Sequence, residues 1–226
     1  MQQNSQWHCF DDANQLAEAA SQQILKAADK AIAERGQFKL VLAGGTTPEK
    51  VYNLLAQSQA DWANWFIYYG DERCLPVSHA ERNNVLAEQA LLNKVSIPAK
   101  QIFTIEAELG PVQGALNYQS IATQAIPFDM VLLGLGEDGH TASLFPGHEH
   151  NLDEPVHPVF NSPKPPPERI SLSAKVLSST LELIFLITGS NKQEAVKIWR
   201  SGGDLPAAHI KPAIADIYID KVAFQD

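Results

Sequence analysis

Segments with strand-like and helix-like patterns alternate along this chain, and this alternation is what most constrains its fold. Apolar runs at 38–42, 65–69 and 128–133 have the length and composition of buried strands, and each leads into polar sequence and then a helical pattern. Such alternation predicts an α/β protein with helices packed around a mainly parallel sheet. With 226 residues and no clear linker or repeat, we expect one domain over residues 1–226.

The same patterns predict individual elements. Residues 11–35 have apolar positions at helical spacing between an aspartate and Gly36. Further helices are expected at 47–55, 81–92, 112–124 and 192–199, and further strands at 102–105, 169–172, 183–187 and 216–219.

Composition excludes several classes of function. The chain has 17 Lys and Arg against 26 Asp and Glu, a net charge of −9, which argues against nucleic acid and anionic membranes as partners. The opening residues lack the pattern of a signal peptide, and the longest apolar run is too short to span a bilayer. Two distant cysteines support neither a disulfide framework nor a thiolate zinc site. We therefore expect a cytoplasmic protein.

Two glycines and two threonines stand between the strand at 38–42 and the next helix: Gly44, Gly45, Thr46 and Thr47. The N-terminus of a helix offers unpaired N–H groups and a partial positive charge, so this segment predicts a phosphate cradle. It lacks the Gly-Lys-Ser/Thr of a nucleotide P-loop. The alternative is a tight turn in which Thr47 only caps a helix that has Pro48 at its first position.

The segment Gly134-Leu-Gly-Glu-Asp-Gly-His140 has the spacing of a dinucleotide-binding fingerprint. Its context argues against a nicotinamide cofactor, because it lies far along the chain and would place Glu137 and Asp138 beside a pyrophosphate. A histidine at a strand end close to a carboxylate instead suits general base catalysis near neutral pH. We predict that His140 is the base, with Asp138 or Asp71 orienting it or binding hydroxyl groups of the substrate. A structural loop histidine is the alternative.

Seven prolines between Pro146 and Pro167 predict a long irregular loop over 146–168, which is a candidate lid. His148, His150 and His157 lie in it and could join His140 as metal ligands. Because no His-x-x-x-His pattern on a helix is present, we expect no metal site and three solvated loop histidines.

Three basic residues stand beside predicted strand ends: Arg73, Arg169 and Lys192. An acidic chain that binds an anion must concentrate positive charge locally, and ligands of open α/β sheets gather at the carboxyl ends of strands. Lys192 opens a helix, where the dipole mildly disfavours a cation, so a phosphate ligand would explain it. Surface salt bridges are the alternative.

Together these segments resemble the 6-phosphogluconolactonase and glucosamine-6-phosphate deaminase superfamily, from about residue 38 to 222. The motifs that carry the resemblance are Ala43–Pro48, Gly70–Arg73, Gly134–Pro146, Arg169–Leu172 and Thr188–Lys192. In the deaminases the residues after Asp-Gly-His typically read Ile-Ala-Phe-Asn-Glu-Pro. Here Thr141-Ala-Ser-Leu-Phe-Pro146 supplies no acid, which favours the lactonase branch. Where many relatives carry Trp near the last strand, this chain has Tyr218.

The resemblance implies a Rossmann-like fold of α/β/α layers around the sheet. It also implies hydrolysis of 6-phospho-D-glucono-1,5-lactone to 6-phosphogluconate in the oxidative pentose phosphate pathway, without a cofactor. The phosphate would be held by the Gly44–Thr47 loop, Arg169 and Lys192, with Arg73 nearby, and the base would be His140. The expected partner is the small phosphorylated lactone, bound by a monomer or small homo-oligomer. The alternatives are a deaminase or isomerase of a sugar phosphate and a non-enzymatic sugar-phosphate sensor.

Overall fold

A six-stranded sheet, in which every neighbouring pair of strands is parallel, forms the centre of the fold. The computed structural model describes residues 4–149, 151 and 153–225. Three strands lie outside this sheet, namely β4 (Asp71–Arg73), β6 (Val156–Val159) and β7 (Arg169–Leu172). The strands of the parallel sheet are β1 (Asn4–Phe10), β2 (Phe38–Leu42), β3 (Trp65–Tyr69), β5 (Phe128–Gly134), β8 (Thr180–Ile187) and β9 (Ile214–Asp220). Their order is β1-β9-β8-β5-β2-β3. The predicted α/β architecture is confirmed.

Helices flank the sheet. They are α1 (Ala13–Arg35), α2 (Thr46–Leu55), α3 (Asn83–Ala87), α4 (Pro111–Ala125), α5 (Ala174–Ser178), α6 (Gln193–Arg200) and α7 (Lys221–Phe224). The predicted end of α1 is confirmed, because Gly36 terminates the helix at a φ of +75°. Its start was predicted at residue 11 but lies at Ala13, because the Asp12 carboxylate caps the helix by accepting the N–H groups of Asn14 and Gln15. In the described part of the chain, no helix is both long and apolar enough to cross a membrane.

The sheet brings three loops to one edge. Strands β2, β5 and β8 are adjacent and parallel, so the residues that follow them emerge side by side. Those residues are the glycine–threonine turn at 43–47, the segment 135–140 and the segment 188–192. This is the edge at which open α/β sheets bind ligands.

A second sheet of three antiparallel strands, in the order β4-β7-β6, corrects part of the prediction. The strand at 169–172 was expected and is present, but it pairs with β4 and β6 and lies outside the parallel sheet. The 146–168 segment is not wholly irregular, because it contains β6. Backbone bonds join the two sheets where the Leu172 N–H donates to the Gly70 carbonyl at 2.8 Å.

Two further expectations were wrong in detail, and one strand was missed. Residues 102–105 form no strand; only Ile102 bridges to Ile67, because this short run lies beyond the edge strand β3. The helix expected at 81–92 begins at Asn83, where the Glu72 carboxylate accepts the N–H groups of Asn83 and Asn84 at 2.7 and 2.9 Å. It then continues as a π-helical turn over Glu88–Leu92. Strand β1 was not predicted.

Candidate active site

A cavity of about 400 Å³ opens where the loops after β2, β5 and β8 meet strands β4 and β7. Its size lies within the range usual for small-molecule sites. The residues predicted for the site that line it are His140, Asp71, Gly44, Gly45, Thr46, Thr47, Arg73, Arg169 and Lys192. Asp138 is not part of the lining but contacts His140. The structure therefore brings together residues spread over about 150 positions of sequence, although their roles stay predictions.

The turn after β2 presents an open helix N-terminus to this cavity. Gly45 is the N-cap of α2 with a φ of +109°, and no side chain caps the helix. The prediction that Thr47 is the cap was wrong, because α2 begins one residue earlier, at Thr46, and the Thr47 hydroxyl instead lies 2.6 Å from that of Thr188. Gly44 is also required, since a Cβ there would come within 1.9 Å of the Asn83 Oδ1 atom.

His140 and Asp138 form a hydrogen-bonded pair at the end of β5. The His140 Nδ1 atom lies 2.5 Å from the Asp138 Oδ1 atom, and the Asp138 carboxylate also accepts the His140 backbone N–H at 3.2 Å. A tight turn holds them, in which the Gly136 N–H donates to the His140 carbonyl at 2.7 Å. A Cβ on Gly136 would come within 2.0 Å of His140 Nδ1, so this packing needs glycine.

The surroundings of His140 favour its neutral form. Burial lowers the pKa of His140 below its ordinary value of 6.5, and the attraction of Asp138 only partly opposes this effect. Burial alone would raise the pKa of Asp138, but the charge and hydrogen bonds of His140 lower it overall. At neutral pH the arrangement is a neutral imidazole beside a carboxylate, with Nε2 hydrogen-bonded to none of the described residues. Such an imidazole can accept a proton from a ligand in the cavity.

Asp71 lies on the same cavity but is held by other groups. The buried Ser143 hydroxyl donates to its Oδ2 atom at 2.6 Å, and the Asn83 amide donates to its Oδ1 atom at 2.9 Å. Between Asp138 and Asp71, it is therefore Asp138 that bonds the imidazole. Sequence reasoning missed Ser143 and Asn83, because neither lies at the end of a strand in the parallel sheet.

Lys192 and Arg169 are two of the four basic residues that line the cavity, and they come from different elements. Lys192 is half-buried at the N-cap of α6, where burial lowers its pKa, and its ammonium group pairs with no described residue. Arg169 is 4% exposed. Its Nε and Nη2 atoms donate to the carbonyl oxygens of Pro166 and Pro165 at 3.2 and 2.8 Å. The guanidinium of Arg169 therefore holds the proline-rich segment at the rim of the cavity.

Arg73 and Arg169 stand directly opposite each other across β4 and β7. Like charges at such a position destabilise a sheet unless an anion or carboxylate offsets them. The Arg73 Nη1 atom donates to the Glu81 carbonyl oxygen, which is uncharged. The Asp71 carboxylate offsets part of this repulsion at Arg169, and an anion in the cavity would offset more of it.

Lys164 is a lining residue that sequence reasoning missed. It lies in the proline-rich segment, and its ammonium group pairs with the Glu137 carboxylate on the far side of the rim. Its neighbours in sequence are prolines, which predict a loop but not where that loop lies.

The other histidines do not join His140. His148 and His157 line a separate cavity of about 340 Å³. His157 was expected to be solvated, which is wrong, because it lies on β6 and is 3% exposed. His150 lies outside the described residues. Among those that are described, no three histidine, cysteine or acidic side chains are arranged to hold a metal ion.

Known proteins resemble the chain in sequence. The family described as glucosamine-6-phosphate isomerases/6-phosphogluconolactonase matches residues 11–219. A probable chloroplastic 6-phosphogluconolactonase 3 of Oryza sativa subsp. indica is 35% identical over 83% of this chain, but this chain covers only 63% of that protein's length. The 6-phosphogluconolactonase of Rattus norvegicus is 33% identical, over 95% of this chain and 90% of its own.

A solved structure resembles the whole fold. It is the 6-phosphogluconolactonase of Thermotoga maritima, with a TM-score of 0.90 and 25% identity. The similarity covers 96% of this chain and 100% of the other.

Proposed function

Because the chain belongs to the family of glucosamine-6-phosphate isomerases and 6-phosphogluconolactonases, we propose that it hydrolyses 6-phospho-D-glucono-1,5-lactone to 6-phosphogluconate. The observation that carries the proposal is the His140–Asp138 pair, which faces a cavity also lined by Lys192 and two opposed arginines. A proton acceptor beside a concentration of positive charge, on a chain of net charge −9, suits an ester that carries a phosphate.

The proposed chemistry is direct attack of water on the lactone carbonyl. As the water oxygen bonds to C1, His140 Nε2 takes its proton, and the carbonyl becomes a tetrahedral oxyanion. When the bond from C1 to the ring oxygen breaks, the imidazolium returns the proton to that oxygen, which leaves as a hydroxyl. Asp138 stabilises the imidazolium between these two steps, and backbone N–H groups of the glycine-rich turns are candidate donors to the oxyanion.

The phosphate would sit away from the reacting carbon. The open N-terminus of α2 supplies N–H groups, and Lys192, Arg169 and Arg73 supply charge. The binding energy gained at the phosphate holds the lactone carbonyl close to His140. The reacting groups then stand in a fixed geometry, which lowers the entropic part of the barrier. Asp71, held by Ser143 and Asn83, would accept a hydrogen bond from a sugar hydroxyl.

Assay of the lactone tests the proposal. The purified chain should hydrolyse 6-phosphogluconolactone above the spontaneous rate, with EDTA making no difference, and should hydrolyse unphosphorylated gluconolactone far more slowly. The same preparation is incubated with glucosamine 6-phosphate, and release of ammonia is measured. Ammonia release without lactone hydrolysis would overturn the proposal in favour of a deaminase, and tight sugar-phosphate binding with neither reaction would favour a sensor.

A further inference from the structure

The Phe145 ring lies against two groups of the candidate site that come from different parts of the chain. Its centroid is 4.6 Å from that of the His140 imidazole, with 41° between the ring planes. The Arg169 Cζ atom lies 5.6 Å from the same centroid, within the range of a cation–π contact. Phe145 is 2% exposed.

Phe145 does not line the cavity proposed for substrate; it forms part of the wall of the second cavity, the one lined by His148 and His157. Direct contact with the lactone is therefore not its role. Its ring separates the two cavities at the point where the imidazole is packed.

We infer that Phe145 is a positioning residue, whose ring fixes the His140 imidazole and the Arg169 guanidinium relative to each other. The inference rests on the proposed function, in which one group moves the proton and the other holds the phosphate. His140 follows β5, whereas Arg169 begins β7 in the other sheet. Because no hydrogen bond joins these two described side chains, an apolar ring in contact with both is what sets their separation.

The hydrogen bond to Asp138 does not by itself fix the orientation of the His140 imidazole. The imidazole is attached covalently at Cγ and hydrogen-bonded at Nδ1, but the side chain of Asp138 is 30% exposed, so the pair can still move together through rotation about χ1 and χ2. Packing against Phe145 restricts this rotation, and so it determines where Nε2 points. The same packing keeps water from the part of the imidazole that Phe145 covers, in keeping with the burial that lowers the pKa of His140.

The charged groups that face His140 are Asp138, Asp71 and Arg169. The two carboxylates favour the imidazolium, whereas the guanidinium disfavours it. Removing the Phe145 ring would admit water and let Arg169 move, and both changes favour the charged form. Loss of the ring should therefore raise the pKa of His140 towards its ordinary value.

The test compares Phe145→Leu with Phe185→Leu in the full chain. Phe185 is also buried and also packs on an aromatic ring, that of Trp199 at 4.8 Å, but it contacts neither His140 nor Arg169. Phe145→Leu should lower kcat by about 10-fold or more, since a misplacement of about 1 Å can cost about 10²-fold. It should also raise KM and move the His140 titration, followed by NMR of the imidazole, to higher pH. Phe185→Leu should leave kcat and the titration unchanged.

Two more variants keep the inference testable if Phe145→Leu folds poorly. Phe145→Met keeps the apolar volume and should behave as Phe145→Leu does, whereas Phe145→Tyr keeps the ring and should restore kcat and the titration. An unchanged kcat and an unchanged titration in Phe145→Leu or Phe145→Met would overturn the inference while the proposed function stands. If the wild-type chain hydrolysed no lactone, the proposed function would fail, and the titration would still decide whether Phe145 controls His140.

Discussion

The Nδ1 atom of His140 lies 2.5 Å from the Oδ1 atom of Asp138, on a turn that Gly136 closes. A carboxylate at this distance keeps the imidazole proton on Nδ1, so that Nε2 is the basic nitrogen. It also stabilises the imidazolium that forms when Nε2 takes a proton. One contact thus determines both the tautomer and the basicity of the proposed general base.

Replacing His140 by Asn removes the proton acceptor while keeping a polar side chain of similar reach. We expect kcat for 6-phosphogluconolactone to fall by about 10²–10⁴-fold with little change in KM, since the phosphate contacts are retained. Initial rates corrected for spontaneous hydrolysis measure this. The control is His79→Asn, an exposed histidine outside the cavity, which should keep wild-type kcat. A His140→Asn variant with wild-type kcat would rule out the base assignment.

Replacing Asp138 by Asn keeps an acceptor for Nδ1 but removes the negative charge. Because a hydrogen bond to a charged group contributes about 1.5–3 kcal/mol, against about 1 kcal/mol for a neutral one, we expect kcat to fall by roughly 10-fold. The loss should be smaller than for His140→Asn, and the double variant should be no worse than His140→Asn alone. Additive losses in the double variant would mean that Asp138 acts independently of the imidazole.

The pH dependence of activity follows from the direction of the His140 shift. The base must be neutral, and burial lowers the pKa of His140 in the free protein below 6.5, so the midpoint of the acid limb of kcat/KM should lie below pH 6.5. The second pKa of a phosphate monoester lies near 6 as well. The deciding measurement is therefore the comparison with Asp138→Asn. Loss of the carboxylate removes an interaction that raises the pKa of His140, so the acid limb should move to lower pH. If the acid limb does not move in Asp138→Asn, it reports ionisation of the substrate phosphate and not of His140.

Much of the parallel sheet could be predicted from the sequence, because its strands are apolar and the turns that follow them have distinctive residues. The apolar runs that form β2, β3 and β5 are buried on both faces, and so they read as continuous hydrophobic segments. The glycine-rich sequences after β2 and β5 stand out because such turns need glycine, as at Gly45 and Gly136. Placement of His140, Lys192 and the Gly44–Thr47 turn on one edge then follows from parallel pairing.

Only β7 of the second sheet was predicted. Strands β4 and β6 were missed, because they are three and four residues long and leave little periodicity to detect. The same sheet decides which residues surround Asp71. Ser143 and Asn83 reach that carboxylate through tertiary packing alone. Lys164 lies at the cavity through tertiary contacts, among them the hydrogen bonds from the buried Arg169 to the carbonyl oxygens of Lys164 and Pro165. Long-range contacts of this kind have no local signal in one sequence.

Removing the Lys192 side chain should weaken binding of the phosphorylated substrate. We expect Lys192→Ala to raise KM by roughly 10–100-fold, the equivalent of about 1.5–3 kcal/mol for one charge-assisted contact, with a smaller change in kcat. Lys197→Ala on the same helix is the control, because that lysine is exposed and does not line the cavity. Activity on unphosphorylated gluconolactone should be nearly the same in both variants. An equal loss on both lactones would contradict a phosphate role for Lys192.

Adding a methyl group at Gly136 should displace the His140 imidazole or its Asp138 partner without changing either side chain chemically. A Cβ there would come within 2.0 Å of His140 Nδ1 and 2.6 Å of Asp138 Oδ1, so the imidazole or the carboxylate must move. We expect Gly136→Ala to lower kcat by about 10²-fold, as misplacement of a reacting group does, while thermal unfolding still shows a folded protein. The matched variant is Gly134→Ala, two residues earlier on the same cavity wall, where a Cβ meets nothing within 4 Å. If the two variants lost kcat equally, crowding of the cavity would explain the loss, and the close packing at Gly136 would not be what positions His140.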